Sequence, residues 1–95
     1  MSNQVEVLKY EIPKQDMFSL DLPTGSKFLK MVDESGEIAL FVLCDPHAKL
    51  EQRHFVFIGQ GQAIDSEAEY VDSVQFYGGF GTVNGHLFEI KRILH

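Results

Sequence analysis

The stretch MFSLDLP, residues 17–23, alternates: Phe18, Leu20 and Leu22 fall on one side, Ser19 and Asp21 on the other. A period of two predicts a strand with one buried face. VEVLKYEI, 5–12, is a second candidate and ends at Pro13, which cannot donate to a ladder. KFLKMVD, 27–33, and EIALFVLCD, 37–45, are joined by Glu34-Ser35-Gly36 and form a predicted hairpin, with the glycine supplying positive φ. The second arm is apolar at every position from Ile38 to Cys44, so it is expected at the centre of the fold with both faces covered. RHFVFIG, 53–59, reads as another strand. YVDSVQFYGG and TVNGHLFEIKRIL read as two more, with Tyr77-Gly78-Gly79-Phe80-Gly81 as their hairpin connection.

Helical signals are short. Asp45-Pro46-His47 has a capping residue followed by Pro, and predicts a turn or two of helix. Ser66-Glu67-Ala68-Glu69 has capping-box spacing and predicts one further turn. About seven short strands with turn signals between them predict a mostly β chain: a small antiparallel β-sandwich or open barrel with at most short helical turns. Neither a linker nor an internal repeat divides the 95 residues, so 1–95 is expected to be a single domain.

Composition narrows the function. The net charge is -6, from 14 acids and 8 bases, and the bases are scattered along the chain. A phosphate backbone is held by clustered Lys and Arg, so direct nucleic-acid binding is not expected. The acids cluster at Asp65, Glu67, Glu69 and Asp72, which read as a solvated surface and as an alternative, charge-based binding surface. Cys44 is the single cysteine and sits in an apolar run, so it is expected buried and unpaired. No apolar run approaches the ~20 residues of a membrane span, and the N-terminus has no secretory pattern. A cytoplasmic protein is expected. Eight Phe residues suit a small core, and a chain this short is expected to gain stability as a homodimer.

Candidate chemistry centres on Gly59-Gln60-Gly61-Gln62. A dinucleotide fingerprint needs a third glycine and a long helix, and a phosphate loop needs Lys; neither pattern is met. GQGQ therefore predicts a strand-end turn whose amides and Gln side chains could hydrogen-bond a ligand. His47, His54, His86 and His95 show no metal-site spacing, and neither a metal nor a cofactor is expected. His47 and His54 are expected exposed beside a loop. His86 lies in the apolar run GHLFEI and is either a satisfied structural residue or a partner of Gln62 in a shared pocket. No Ser sits in a nucleophile elbow, and no carboxylate stands alone in an apolar run where burial would raise its pKa. The chain is not expected to be an enzyme. Tyr77 and Phe80, flanked by glycines, are candidate anchors at a hairpin tip, the alternative being that Phe80 folds back over the core.

The segments VLKYEIP, FSLDLPTGSKFL, ALFVLCDP, RHFVFIGQGQAID and HLFEIK resemble an uncharacterised family of small proteins encoded by bacteriophages and prophages. Its members read as VxKYxxP, a stretch ending in LPxGA, a strand ending in DP, a GTGH motif and a closing VFHVFE. The resemblance covers nearly the whole chain and implies no activity. Where that family shows GTGH, this chain has Gly59, Gln60, Gly61 and Gln62, while the closing His is matched by His86. Gln has no titratable proton and is a poor metal ligand, so a hydrogen-bonding or structural role survives the replacement and a catalytic one does not.

Three functional expectations follow. The first is a phage-encoded accessory protein that binds and inhibits or redirects a host protein, such as a defence component, through Gln60, Gln62, Tyr77, Phe80 and His86. The second is an oligomer that sequesters a small-molecule ligand such as a nucleotide signal, using the GQGQ turn and His86 with Arg53 or Lys91 at subunit junctions. The third is a minor component of the virion.

Overall fold

A computed structural model describes residues 4–13, 15–78 and 81–91. Seven strands follow one another: β1 (Glu6–Glu11), β2 (Met17–Pro23), β3 (Lys27–Glu34), β4 (Glu37–Cys44), β5 (Leu50–Gly59), β6 (Glu69–Gly78) and β7 (Gly81–Ile90). They form two antiparallel sheets, ordered β1-β4-β3 and β2-β5-β7-β6. The architecture is an open sandwich, not a closed barrel. Its core joins Leu40, Val42 and Met31 of the first sheet to Leu22, Phe55 and Leu87 of the second. Phe55 is its hub, stacked on Phe18 at 5.4 Å and edge-on to Phe28 at 5.6 Å. Period-two alternation places these residues, because each strand turns every second side chain inward.

The β3–β4 hairpin closes on Ser35 and Gly36, both with positive φ, 56° and 94°. That is the geometry of a type I′ turn, whose twist matches the strands it joins. Ser35 thus shares the left-handed conformation assigned above to the glycine alone, and Asp33 Oδ1 accepts the Gly36 amide at 2.8 Å. Strand β4 lies between β1 and β3, as its apolar run predicts. Its faces differ, however. Leu40, Val42 and Cys44 are buried, while Phe41 and Leu43 look outward and are half-buried. Lysine stems supply the outer cover: Lys30 lies over the Phe41 ring at 5.9 Å, and Lys9 reaches Glu34 at 3.0 Å. Charged heads stay in water while their methylenes lie along apolar surface.

Both predicted helical turns are Asx turns instead. Asp45 accepts the His47 amide on its side chain at 2.9 Å, and Asp65 accepts that of Glu67 at 2.8 Å. Their carbonyls accept the amides of Ala48 and Ala68. The chain then enters β5 and β6, so each cap closes one turn and stops. Loops cross between sheets at Thr24, whose amide and hydroxyl both donate to the Lys49 carbonyl. On the far side the sheets are clasped by Asp72 of β6, whose Oδ2 accepts the Met31 amide of β3 at 2.7 Å.

Candidate functional site

β5 ends at Gly59, and the chain turns through Gln60 and Gly61, the latter at φ +87°. Positive φ at the third position of a four-residue turn selects glycine. The Gln62 amide donates to the Gly59 carbonyl at 3.3 Å, and the Gly59 amide donates to Gln62 Oε1. GQGQ is therefore a strand-end turn, and Gln62 closes it with its side chain. Gln60 and Gln62 are both exposed.

Beyond this turn the sheet narrows. β5 pairs with β7 only as far as Gly59↔Gly85, whereas β6 and β7 stay paired out to Gly78↔Gly81. Four residues of each strand run on as a two-stranded ribbon, about 14 Å at ~3.4 Å per residue. Tyr77 pairs with Thr82 on this ribbon, and only its main chain is described. Phe80 lies outside the described residues. The last described pair of the ribbon, Gly78↔Gly81, lies four residues along β7 from the Gly59↔Gly85 pair beside the GQGQ turn.

His86 is next to the turn, opposite Ile58 of β5, but it looks away from the core. Its Nδ1 is 2.6 Å from Ser73 Oγ, which is 2.9 Å from the Tyr70 hydroxyl. His86 and Gln62 therefore have separate hydrogen-bond partners. His54 was expected exposed beside a loop; it sits within β5, half-buried, with Nδ1 2.8 Å from Ser19 Oγ. His47 is exposed, as expected. His95 lies outside the described residues.

Of the acidic group, Asp65, Glu67 and Glu69 are exposed, and Glu69 lies 3.4 Å from Lys91. Asp72 is not a solvated acid: it is the clasp between sheets, and its second oxygen accepts the Ser73 amide. A bulge between Tyr70 and Asp72 shifts the register and turns this carboxylate inward.

One carboxylate in an apolar run is buried, contrary to expectation. Glu89, in HLFEI, is 5% exposed. Arg53 meets it with two hydrogen bonds, Nε to Oε2 at 2.5 Å and Nη2 to Oε1 at 2.7 Å, and donates from Nη1 to the Ser26 carbonyl at 3.0 Å. Its guanidinium lies 4.6 Å from the centre of the Phe28 ring. The bond to Glu89 raises the Arg53 pKa above its ordinary value against the opposing effect of burial. The signal was readable: Gly85, Leu87 and Glu89 share one face of β7, and Arg53 falls on the matching face of β5. Beside this pair a cavity of about 370 Å³ is lined by Ser26, Arg53, His54, Glu89, Ile90 and Lys91. Among the described residues, no three His, Cys, Asp or Glu side chains are grouped to hold a metal ion.

These elements span the chain from β1 to β7, and so does its likeness to known sequences: a family model described as a domain of unknown function, DUF7352, matches residues 3–93. The chain belongs to the DUF7352 family. No curated protein and no solved structure matches it. In this DUF7352 chain the buried pair links two of the segments that carry the resemblance drawn above, RHFVFIGQGQAID through Arg53 and HLFEIK through Glu89. Among the described residues no helix is long and apolar enough to cross a membrane.

Proposed function

We propose that the chain is a phage-encoded accessory protein that acts by binding in the host cytoplasm, where it inhibits or redirects a host protein. One observation carries this reading. Among the described residues, the stretch 81–84 of β7 pairs with β6 alone, so its other edge can accept an extended segment of another protein. Strand addition at such an edge draws affinity from main-chain hydrogen bonds and selectivity from adjacent side chains. Gln60, exposed at the base of the ribbon, offers a donor and an acceptor with no charge to desolvate. Affinity capture from host lysate, followed by titration of the recovered partner, tests the reading. Gln60→Ala/Phe80→Ala is expected to weaken binding at least ~30-fold, the effect of losing a typical anchor. Full affinity in that variant, with loss in Asp65→Asn/Glu67→Gln/Glu69→Gln, would move the site to the acidic turn.

A second reading, a small-ligand binder, is favoured by the cavity beside Arg53, His54 and Lys91. Mass spectrometry of the purified, denatured protein tests it through a stoichiometric released molecule.

A further inference from the structure

The outer face of the four-stranded sheet carries a pattern of its own. Met17 is paired with Val56, Val56 with Phe88, and Phe88 with Tyr70, so one apolar row crosses all four strands. Met17 and Tyr70 are 65% and 59% exposed, and Tyr70 meets Phe88 edge-on at 5.6 Å. Ile58 and Ile90 extend the apolar centre one row to either side. Two diagonal corners hold hydrogen-bonded Ser–His pairs, Ser19 with His54 and Ser73 with His86. The layout repeats under a half-turn about the point between Val56 and Phe88. That rotation exchanges β5 with β7 and β2 with β6, placing His54 on His86, Ile58 on Ile90, Ser19 on Ser73 and Met17 on Tyr70.

We infer that this face is where a second copy of the chain docks, forming a face-to-face homodimer. Three observations single out that occupant. The first is charge. Each copy carries a net charge of -6, so two copies can approach closely only through a face with few charges. Along the described outward positions of β2, β5, β7 and β6, Asp21 at one corner is the one Asp, Glu, Lys or Arg; the rest are apolar or polar residues, including the serine-bonded His54 and His86. The other sheet's outer face is the opposite case, with Lys9, Lys30 and Glu34 lying across it.

The second observation is shape. The molecule is a slab 16 Å thick against 51 and 36 Å in its other dimensions, and it exposes 6711 Å². A compact monomer of this mass exposes about 5,500 Å². Stacking two slabs removes the thin dimension and covers the apolar row. Four strands ~4.8 Å apart and about seven residues long give roughly 450 Å² of flat contact per copy. Doubled, that is roughly 900 Å², the size class of weak, reversible associations.

The third observation is polar satisfaction. Both imidazoles have Nδ1 engaged by a serine of the same face, and Ser73 is also engaged by Tyr70, so docking strands fewer unpaired groups. The near-symmetry of the face also sets apolar centre against apolar centre in either of the two orientations related by the half-turn.

Sedimentation equilibrium from 1 to 100 μM tests the inference. The expected result is a dimer of twice 10.8 kDa that dissociates at the low end of that range. Val56→Glu sets two carboxylates together at the centre and is expected to weaken association at least ~100-fold. Leu43→Glu, on the other outer face, should leave it unchanged. A monomer throughout, or a dimer lost in Leu43→Glu and kept in Val56→Glu, overturns the inference. Should Val56→Glu fail to fold, methyl NMR of the unaltered protein with a soluble paramagnetic agent decides. Ile58 and Ile90 methyls shielded relative to Leu43 at 100 μM support the dimer, and equal broadening overturns it.

Discussion

Glu89 and Arg53 meet inside the sandwich, with side chains 6% and 13% exposed, so neither can be removed alone without stranding the other. Glu89→Gln leaves a cationic guanidinium without its counter-charge and is expected to cost about 3 kcal/mol or more. Arg53→Met/Glu89→Leu keeps the volume and removes both charges, so it should be markedly more stable than Glu89→Gln in urea denaturation. A double variant no better than the single one would show that the bond to the Ser26 carbonyl, not the charge pair, is what the site needs. Tyr10 gives a separate pH signature. Burial, helped by the nearby Cys44, raises its pKa above the ordinary tyrosine value. A raised pKa means that the neutral phenol's contribution is complete below tyrosine's usual range and is lost as pH rises through it. Stability should therefore fall as pH rises above tyrosine's ordinary value of about 10, and Tyr10→Phe should flatten that fall. Gly85 is a third constrained position: a Cβ there would lie 2.3 Å from the Phe57 ring. Gly85→Ala should cost about 1–3 kcal/mol by overpacking.

At the scale of elements, the strands were legible because alternation and unbroken apolar runs report burial directly. MFSLDLP gave β2 with its buried side, and IALFVLC gave a central β4. The cover on β4's outer face was not legible, because lysine methylenes do not register as apolar in a sequence pattern. The two capping patterns misled for a related reason: Asp45 and Asp65 close Asx turns with the same oxygen that would cap a helix, and only the chain that follows decides. The GQGQ turn was read correctly from its glycines, yet the pairing of His86 with Ser73 was not, since cross-strand register depends on the bulge after Tyr70. Strand β4 supplies a direct test of face. Leu40 and Val42 both point inward and are 0% exposed, so Leu40→Asp and Val42→Asp should each abolish the cooperative melting transition. Leu43→Asp, one residue on and outward, should remain folded.

For the molecule as a whole, the question is what holds two sheets in one sandwich when, among the described residues, no strand pairing continues from one to the other. The apolar core supplies most of the attraction, but it is non-directional and does not fix how the sheets are aligned. Directional ties lie at two sides. Thr24 joins the crossing loops to the Lys49 carbonyl, and Asp72 accepts the Met31 amide across the gap between β6 and β3. Met31 is 5% exposed, so its amide has little access to water once that partner is removed. Asp72→Ala is therefore expected to cost about 1–3 kcal/mol, the desolvation penalty of an unmatched buried donor, with a charge-assisted bond toward the upper end. Asp72→Asn keeps an acceptor oxygen and should recover part of the loss. Asp65→Asn and Glu67→Gln, on exposed positions of the neighbouring turn, should change stability by less than about 0.5 kcal/mol. Native-state hydrogen exchange localises the effect: the Met31 amide should exchange far faster in Asp72→Ala while the Leu40 amide in β4 keeps its protection. Uniform acceleration would instead mean that Asp72 acts on global stability alone. Unchanged exchange at Met31 would mean that core packing aligns the sheets without it.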